Sequence, residues 1–197
     1  PTTLTKTFNP KQILAGGTSV LSLTITNPNA TTVNLMGTTS LTDLFPSSPG
    51  QMVLAATPNI QKSAGCSSNI SIMDPSNTRT AAAGDTGIVI KNGYLVASST
   101  CTISMNVTAS VDGEYVNTTS ALDTAANLAP AATATLSVGA PKISGVVFED
   151  VNYGGGAGRD RTTASGIGVD GATIELYKAD GSFVASTTTA TVNSQAG

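Results

Sequence analysis

The chain has 197 residues, of which 40% are hydrophobic, 11% charged and 4% aromatic, with a formal net charge of -3 and neither His nor Trp. Without histidine, Ser-His-Asp and Cys-His nucleophile systems, His-ligated zinc and the commonest general base are excluded, so any catalysis would fall to carboxylates, Lys or Tyr. Nine Lys and Arg scattered among twelve Asp and Glu leave no basic stripe for nucleic acid, and no run of 18 apolar residues offers a membrane span.

Residues 2–8 are Thr-rich and β-prone. They read either as the first strand of their own domain or as an extended segment that leaves its sheet and pairs in trans. Over residues 19–27, Leu21, Leu23 and Ile25 alternate with Ser22, Thr24 and Thr26 before the turn cluster Asn27-Pro28-Asn29, which predicts a strand with one buried face. Asn92-Gly93 between residues 88–91 and 94–96 predicts a tight hairpin, because both central positions of such a turn need positive φ. Cys101, Ile103, Met105 and Val107 alternate with Thr102, Ser104 and Asn106, pointing Cys101 into the core. Asp112-Gly113 predicts a turn before a strand at residues 115–118, where Tyr115 fits the tyrosine corner of sandwich folds. A last strand at residues 134–138 stops before Pro141. Strands separated by turn signals, without helical periodicity, predict an all-β sandwich of antiparallel sheets.

Cys66 and Cys101 lie in no C-x-x-C motif, so a redox or metal role has little support. A structural disulfide is expected, constraining the unfolded chain by about 4 kcal/mol in the loop-entropy account. The alternative is two buried free thiols in a cytosolic protein. A charge-poor chain that is roughly a quarter Ser and Thr favours export.

Pro1-Thr-Thr-Leu-Thr-Lys-Thr-Phe-Asn-Pro10, Ala15-Gly-Gly-Thr-Ser19, Leu21-Ser-Leu-Thr-Ile-Thr-Asn-Pro-Asn29, Asp112-Gly-Glu-Tyr-Val-Asn-Thr118 and Ala134-Thr-Leu-Ser-Val138 resemble the immunoglobulin-like conserved repeat of large bacterial surface proteins. The resemblance spans residues 1–140 and implies an extracellular, tandemly arrayed β-sandwich without catalytic activity. After Pro141 the chain turns Gly-rich. Ile143-Ser-Gly-Val-Val-Phe-Glu-Asp-Val-Asn152, Gly171-Ala-Thr-Ile-Glu-Leu-Tyr177 and Phe183-Val-Ala-Ser-Thr187 are similar to the B-type modules of serine-aspartate repeat proteins and collagen adhesins, prealbumin-like sandwiches that act as stalk spacers. The expected organisation is two tandem antiparallel sandwiches, at 1–140 and 141–197. The second would be incomplete, lacking the Gly-x-Tyr-x-Phe strand with which that family closes, and its open edge would invite a strand from a neighbour.

Related B-type modules bind calcium in the loop that here runs from Asp150 to Asp160. Asp150 and Asn152 match the family's Asp-x-Asn and Asp160 its later Asp, but Arg161 and Thr162 stand where a further acid would follow. The alternative is a solvated Gly-rich turn. Some bacterial sandwich modules also form an intramolecular Lys-Asn isopeptide beside a buried carboxylate. Lys6 and Asn117 have the residue types for it, with Asp43 or Glu114 as the acid, although a strand-end Lys is usually solvated.

These features favour a non-enzymatic subunit of a bacterial extracellular fibre, sheath or surface layer, whose partners are copies of itself joined by strand complementation. The alternative is a stalk or binding segment of a surface adhesin, stabilised by calcium and holding a host protein or glycan. The scarcity of aromatics and Arg argues against a binding hot spot. An acid-base pair such as Glu149 and Asp150 is a weak basis for an enzyme, because adjacent residues of a strand face opposite ways.

Overall fold

A computed structural model describes all residues except Lys142 and Asn193 and divides the chain into two compact units, Pro1–Ala140 and Pro141–Gly197. Every regular element among the described residues is a strand. The first unit opens with β1 (Thr3–Asn9), β2 (Gln12–Ile13), β3 (Thr18–Asn27), β4 (Val33–Asn34) and β5 (Leu41–Leu44). It continues with β6 (Val53–Leu54), β7 (Gln61–Lys62), β8 (Ser71–Met73), β9 (Gly87–Lys91) and β10 (Tyr94–Leu95). It closes with β11 (Ser99–Thr108), β12 (Gly113–Thr118), β13 (Leu122–Asp123), β14 (Leu128–Ala129) and β15 (Thr133–Val138).

One layer of the sandwich is β1-β3-β11, with the short β6 and β7 both added along β11. Its inner face follows from the period of two: Leu21, Leu23 and Ile25 of β3 and Cys101, Ile103, Met105 and Val107 of β11 are buried, and the Thr and Ser between them are half-buried. The facing layer consists of β8-β9-β5 and β12-β15-β2. Ser120, just past β12, stitches these two sheets together. Its N–H donates to the Thr42 carbonyl of β5 at 2.7 Å, and its hydroxyl accepts the Thr42 N–H at 2.9 Å. Leu41, Ile88, Ile90, Tyr115 and Leu136 project from this layer into the shared core, each contributing about 1.5–3 kcal/mol by burial. The Tyr115 hydroxyl donates to the Val111 carbonyl at 2.8 Å, the corner geometry expected of that residue.

Two expectations change in detail, and of the two readings of residues 2–8 the structure shows the first. Pairing is antiparallel except that β2 runs parallel to β15, Ile13 opposite Val138. Pro10, which has no N–H to continue a ladder, ends β1 and lets the chain cross to the other layer. Residues 2–8 stay in their own domain: Thr3 to Asn9 pair with β3 along their whole length, and Leu4, Lys6 and Phe8 are buried. Asn92 and Gly93 do take positive φ, 62° and 74°, yet β9 and β10 do not pair with each other. The Gly93 carbonyl accepts the Leu35 N–H, and Tyr94 exchanges hydrogen bonds with Ser67, so β10 is drawn away to β4.

Cys66 and Cys101 are joined in a disulfide, with Cα atoms 4.6 Å apart. It ties the loop after β7 to β11. Gly65 permits this approach, because a Cβ there would run into the Thr100 carbonyl.

The second unit contains β16 (Phe148–Glu149) paired with β17 (Ile167–Gly168), and β18 (Thr173–Tyr177) paired with β19 (Phe183–Thr188). Both pairs are two-stranded, and every residue of β18 and β19 is exposed. Ala164 is the one buried apolar residue among the described residues of this unit. Two strands alone cannot enclose a core, so stability resides in the first unit.

Replacing both cysteines with Ser should lower the unfolding free energy by about 2–4 kcal/mol, read from urea denaturation of the first unit's transition. An unchanged midpoint would mean that the closed loop is already restrained in the unfolded chain.

Candidate functional site

Among the polar side chains at inward strand positions, three are drawn together by their chemistry. Lys6 lies between Leu4 and Phe8 on β1, Asp43 two residues after Leu41 on β5, and Asn117 two residues after Tyr115 on β12. All three are buried, and the side chains of Lys6 and Asp43 are wholly inaccessible to solvent. They come from both layers of the sandwich and meet between them.

The Lys6 ammonium donates to both carboxylate oxygens of Asp43, each at 2.6 Å. Burial pulls the Lys6 amine below its ordinary pKa and pushes the Asp43 carboxyl above its own, against the mutual attraction and hydrogen bonding that favour the charged forms. The Asn117 carboxamide lies near enough to favour the Asp43 carboxylate. Neither its Oδ1 nor its Nδ2, however, completes a hydrogen bond of acceptable geometry. An unsatisfied buried polar group costs about 1–3 kcal/mol, and an ion pair in a core is often no better than apolar residues of the same volume. Noncovalent stability alone therefore gives no account of this trio. Glu114, the other carboxylate considered for this cluster, is exposed on the opposite face of β12.

The residues matched to a calcium loop are arranged differently. The Arg159 guanidinium grips Asp150, its Nη2 2.8 and 2.9 Å from the two oxygens and its Nε 3.2 Å from one of them. Asp160 accepts the N–H groups of Thr162 and Thr163, each at 3.0 Å, and the Thr163 hydroxyl at 2.6 Å. These bonds hold its carboxyl below the ordinary range, the Thr163 side chain contributing most. Asn152 turns its Nδ2 to the Thr163 carbonyl at 3.4 Å. Among the described residues no three Asp, Glu, His or Cys converge on a point, and in this arrangement the loop does not fit a calcium cage. Glu149 is exposed and Asp150 is committed to Arg159, so this pair makes no acid-base site.

Asn127 was not legible as important. Its Oδ1 accepts the Thr2 N–H at 2.7 Å and its Nδ2 donates to the Thr2 carbonyl at 3.1 Å, imitating a ladder pair that holds the start of β1. The Asn-rich turns of this sequence carry no signal that would single it out.

Lys6→Met, which leaves Asp43 buried without its partner, should cost about 3–5 kcal/mol in chemical denaturation. Glu114→Gln should stay within about 0.5 kcal/mol of the parent. A comparable loss from Glu114→Gln would place the working carboxylate on the wrong face.

No curated protein matches the chain in sequence. Among solved structures, a cohesin module from a family 33 glycoside hydrolase of Clostridium perfringens is similar, with a TM-score of 0.42 and 12% identity over 71% of this chain and 98% of that one. Residues 1–138, the disulfide-bonded sandwich with the buried Lys6, Asp43 and Asn117, match the family described as Domain of unknown function (DUF7933), and the chain belongs to that family.

Proposed function

We propose that the chain is a non-enzymatic structural module of a bacterial extracellular fibre, sheath or surface layer, with copies of itself as partners. The observation that carries this reading is the Cys66–Cys101 disulfide, buried in the core of the sandwich. Such bonds form and persist in oxidising compartments outside the cytosol. The resemblance of residues 1–140 to an immunoglobulin-like repeat, which implies an extracellular sandwich, and of residues 142–197 to a B-type stalk spacer supports the same setting. No helix among the described residues is long and apolar enough to cross a membrane.

The pairing pattern favours one location for strand complementation. β1 is committed to β3, with its inward side chains buried. β18 and β19 each have one strand partner among the described residues, and Ile174, Leu176, Phe183 and Val184 around them are exposed. An unpaired edge beside apolar side chains accepts a further strand.

Negative-stain microscopy of the oxidised protein at rising concentration should show regular filaments or sheets, and Leu176→Asp should abolish them. Isolated particles at every concentration would contradict assembly. Calcium would enter this reading only by taking Asp150 from Arg159. Equal melting temperatures in calcium and in chelator are therefore expected, and a calcium-dependent rise lost in Asp150→Ala/Asn152→Ala would overturn that expectation.

A further inference from the structure

The polar trio in the core has the composition of a reaction rather than of a packing motif. It holds an amine, a carboxamide and between them a carboxyl group, all sealed from water. The carboxamide is the member with nothing to bond: both polar atoms of Asn117 are buried without a partner. We propose that Lys6 and Asn117 become joined by an intramolecular isopeptide bond, with Asp43 shuttling the proton.

The chemistry balances without an external reagent. Lys6 Nζ and Asp43 Oδ1 lie 2.6 Å apart, close enough for the ammonium proton to pass to the carboxylate, and with that proton on Asp43 the amine is free to act as a nucleophile. Burial, which disfavours charge on both groups, favours this neutral form. The protonated Asp43 donates to Asn117 Oδ1 and polarises Cγ. Lys6 Nζ attacks Cγ, forming the C–N bond, and the electron pair moves onto Oδ1. Asp43 gives its proton to Nδ2 and takes one from Nζ in its place. The Cγ–Nδ2 bond then breaks, the carbonyl re-forms and ammonia departs. One amine and one carboxamide become one secondary amide and one ammonia, with no change of oxidation state.

The product relieves what the unreacted core leaves unsatisfied. The charged pair becomes an uncharged amide, and Asp43, now a neutral acid, is left beside a carbonyl and an N–H that it can hydrogen-bond. The link would join β1 of one layer to β12 of the other. Because Cys66–Cys101 already ties the middle of the chain, the two covalent bonds together would brace the first unit near its beginning, middle and end. This inference stands whether or not the chain assembles.

Intact mass of the denatured wild-type protein tests it. The expected value is about 17 Da below that of the disulfide-bonded chain, the mass of one ammonia. After reduction and trypsin digestion, residues 1–11, uncut after Lys6, should be found covalently attached to residues 92–142. Asp43→Asn, similar in size but unable to shuttle the proton, should show the full mass and separate peptides. A full mass for the wild-type protein would overturn the proposal and leave a buried ion pair. So would a loss of ammonia with Lys6 cleaved normally, because a succinimide at Asn92-Gly93 loses the same mass without joining the peptides. Ammonia loss persisting in Asp43→Asn would overturn the shuttle role.

Discussion

A lysine and an aspartate enclosed between two apolar sheets impose a severe constraint on this protein. The Lys6–Asp43 contact, closed at 2.6 Å with no solvent access to either side chain, cannot be opened without stranding a charge in the core. It fixes the register of β1 against the facing layer, since a one-residue slip would turn Lys6 to solvent together with Leu4 and Phe8. β1 fixed in this way makes the first sheet complete, and β3 and β11 follow from it through their long ladder.

The other features of the first unit work around this centre. The Tyr115 corner and the Ser120 stitch hold β12 beside β5, which sets Asn117 next to Asp43. The disulfide secures the loop after β7 to β11. Apolar packing supplies most of the stability, and the polar trio supplies specificity and, through the proposed isopeptide, would add permanence. If the module carries load outside the cell, as proposed, it benefits from links that do not depend on the folding equilibrium. The second unit lacks an enclosed core among its described residues, and its exposed hairpin suits it to interaction rather than to independent strength.

Much of this was legible in the sequence because period-two alternation is a strong signal. β3, β11, β12 and β15 lie where the alternating runs place them, and Cys101 points inward with Ile103 and Met105. Asp43 and Glu114 were harder to separate, since both have the right chemistry. Alternation resolves them once register is known: Asp43 shares a face with Leu41, and Glu114 shares one with the exposed Val116. The hairpin at Asn92-Gly93 failed for a reason no local pattern carries. The turn conformation formed as its residues demand, but Ser67, distant in sequence, captured the Tyr94 N–H and carbonyl that would have closed the ladder. At the Asp150 loop, the ligand spacing alone does not reveal the positive charge that the nearby Arg159 supplies.

The most direct test of the account is a crystal structure of the oxidised protein at a resolution that separates bonded from nonbonded atoms. Continuous density between Lys6 Nζ and Asn117 Cγ, at an amide bond length of about 1.33 Å, with no density for a departing Nδ2, is the predicted result. Two separate side chains at van der Waals distance, with the Asn117 amide intact, would contradict it.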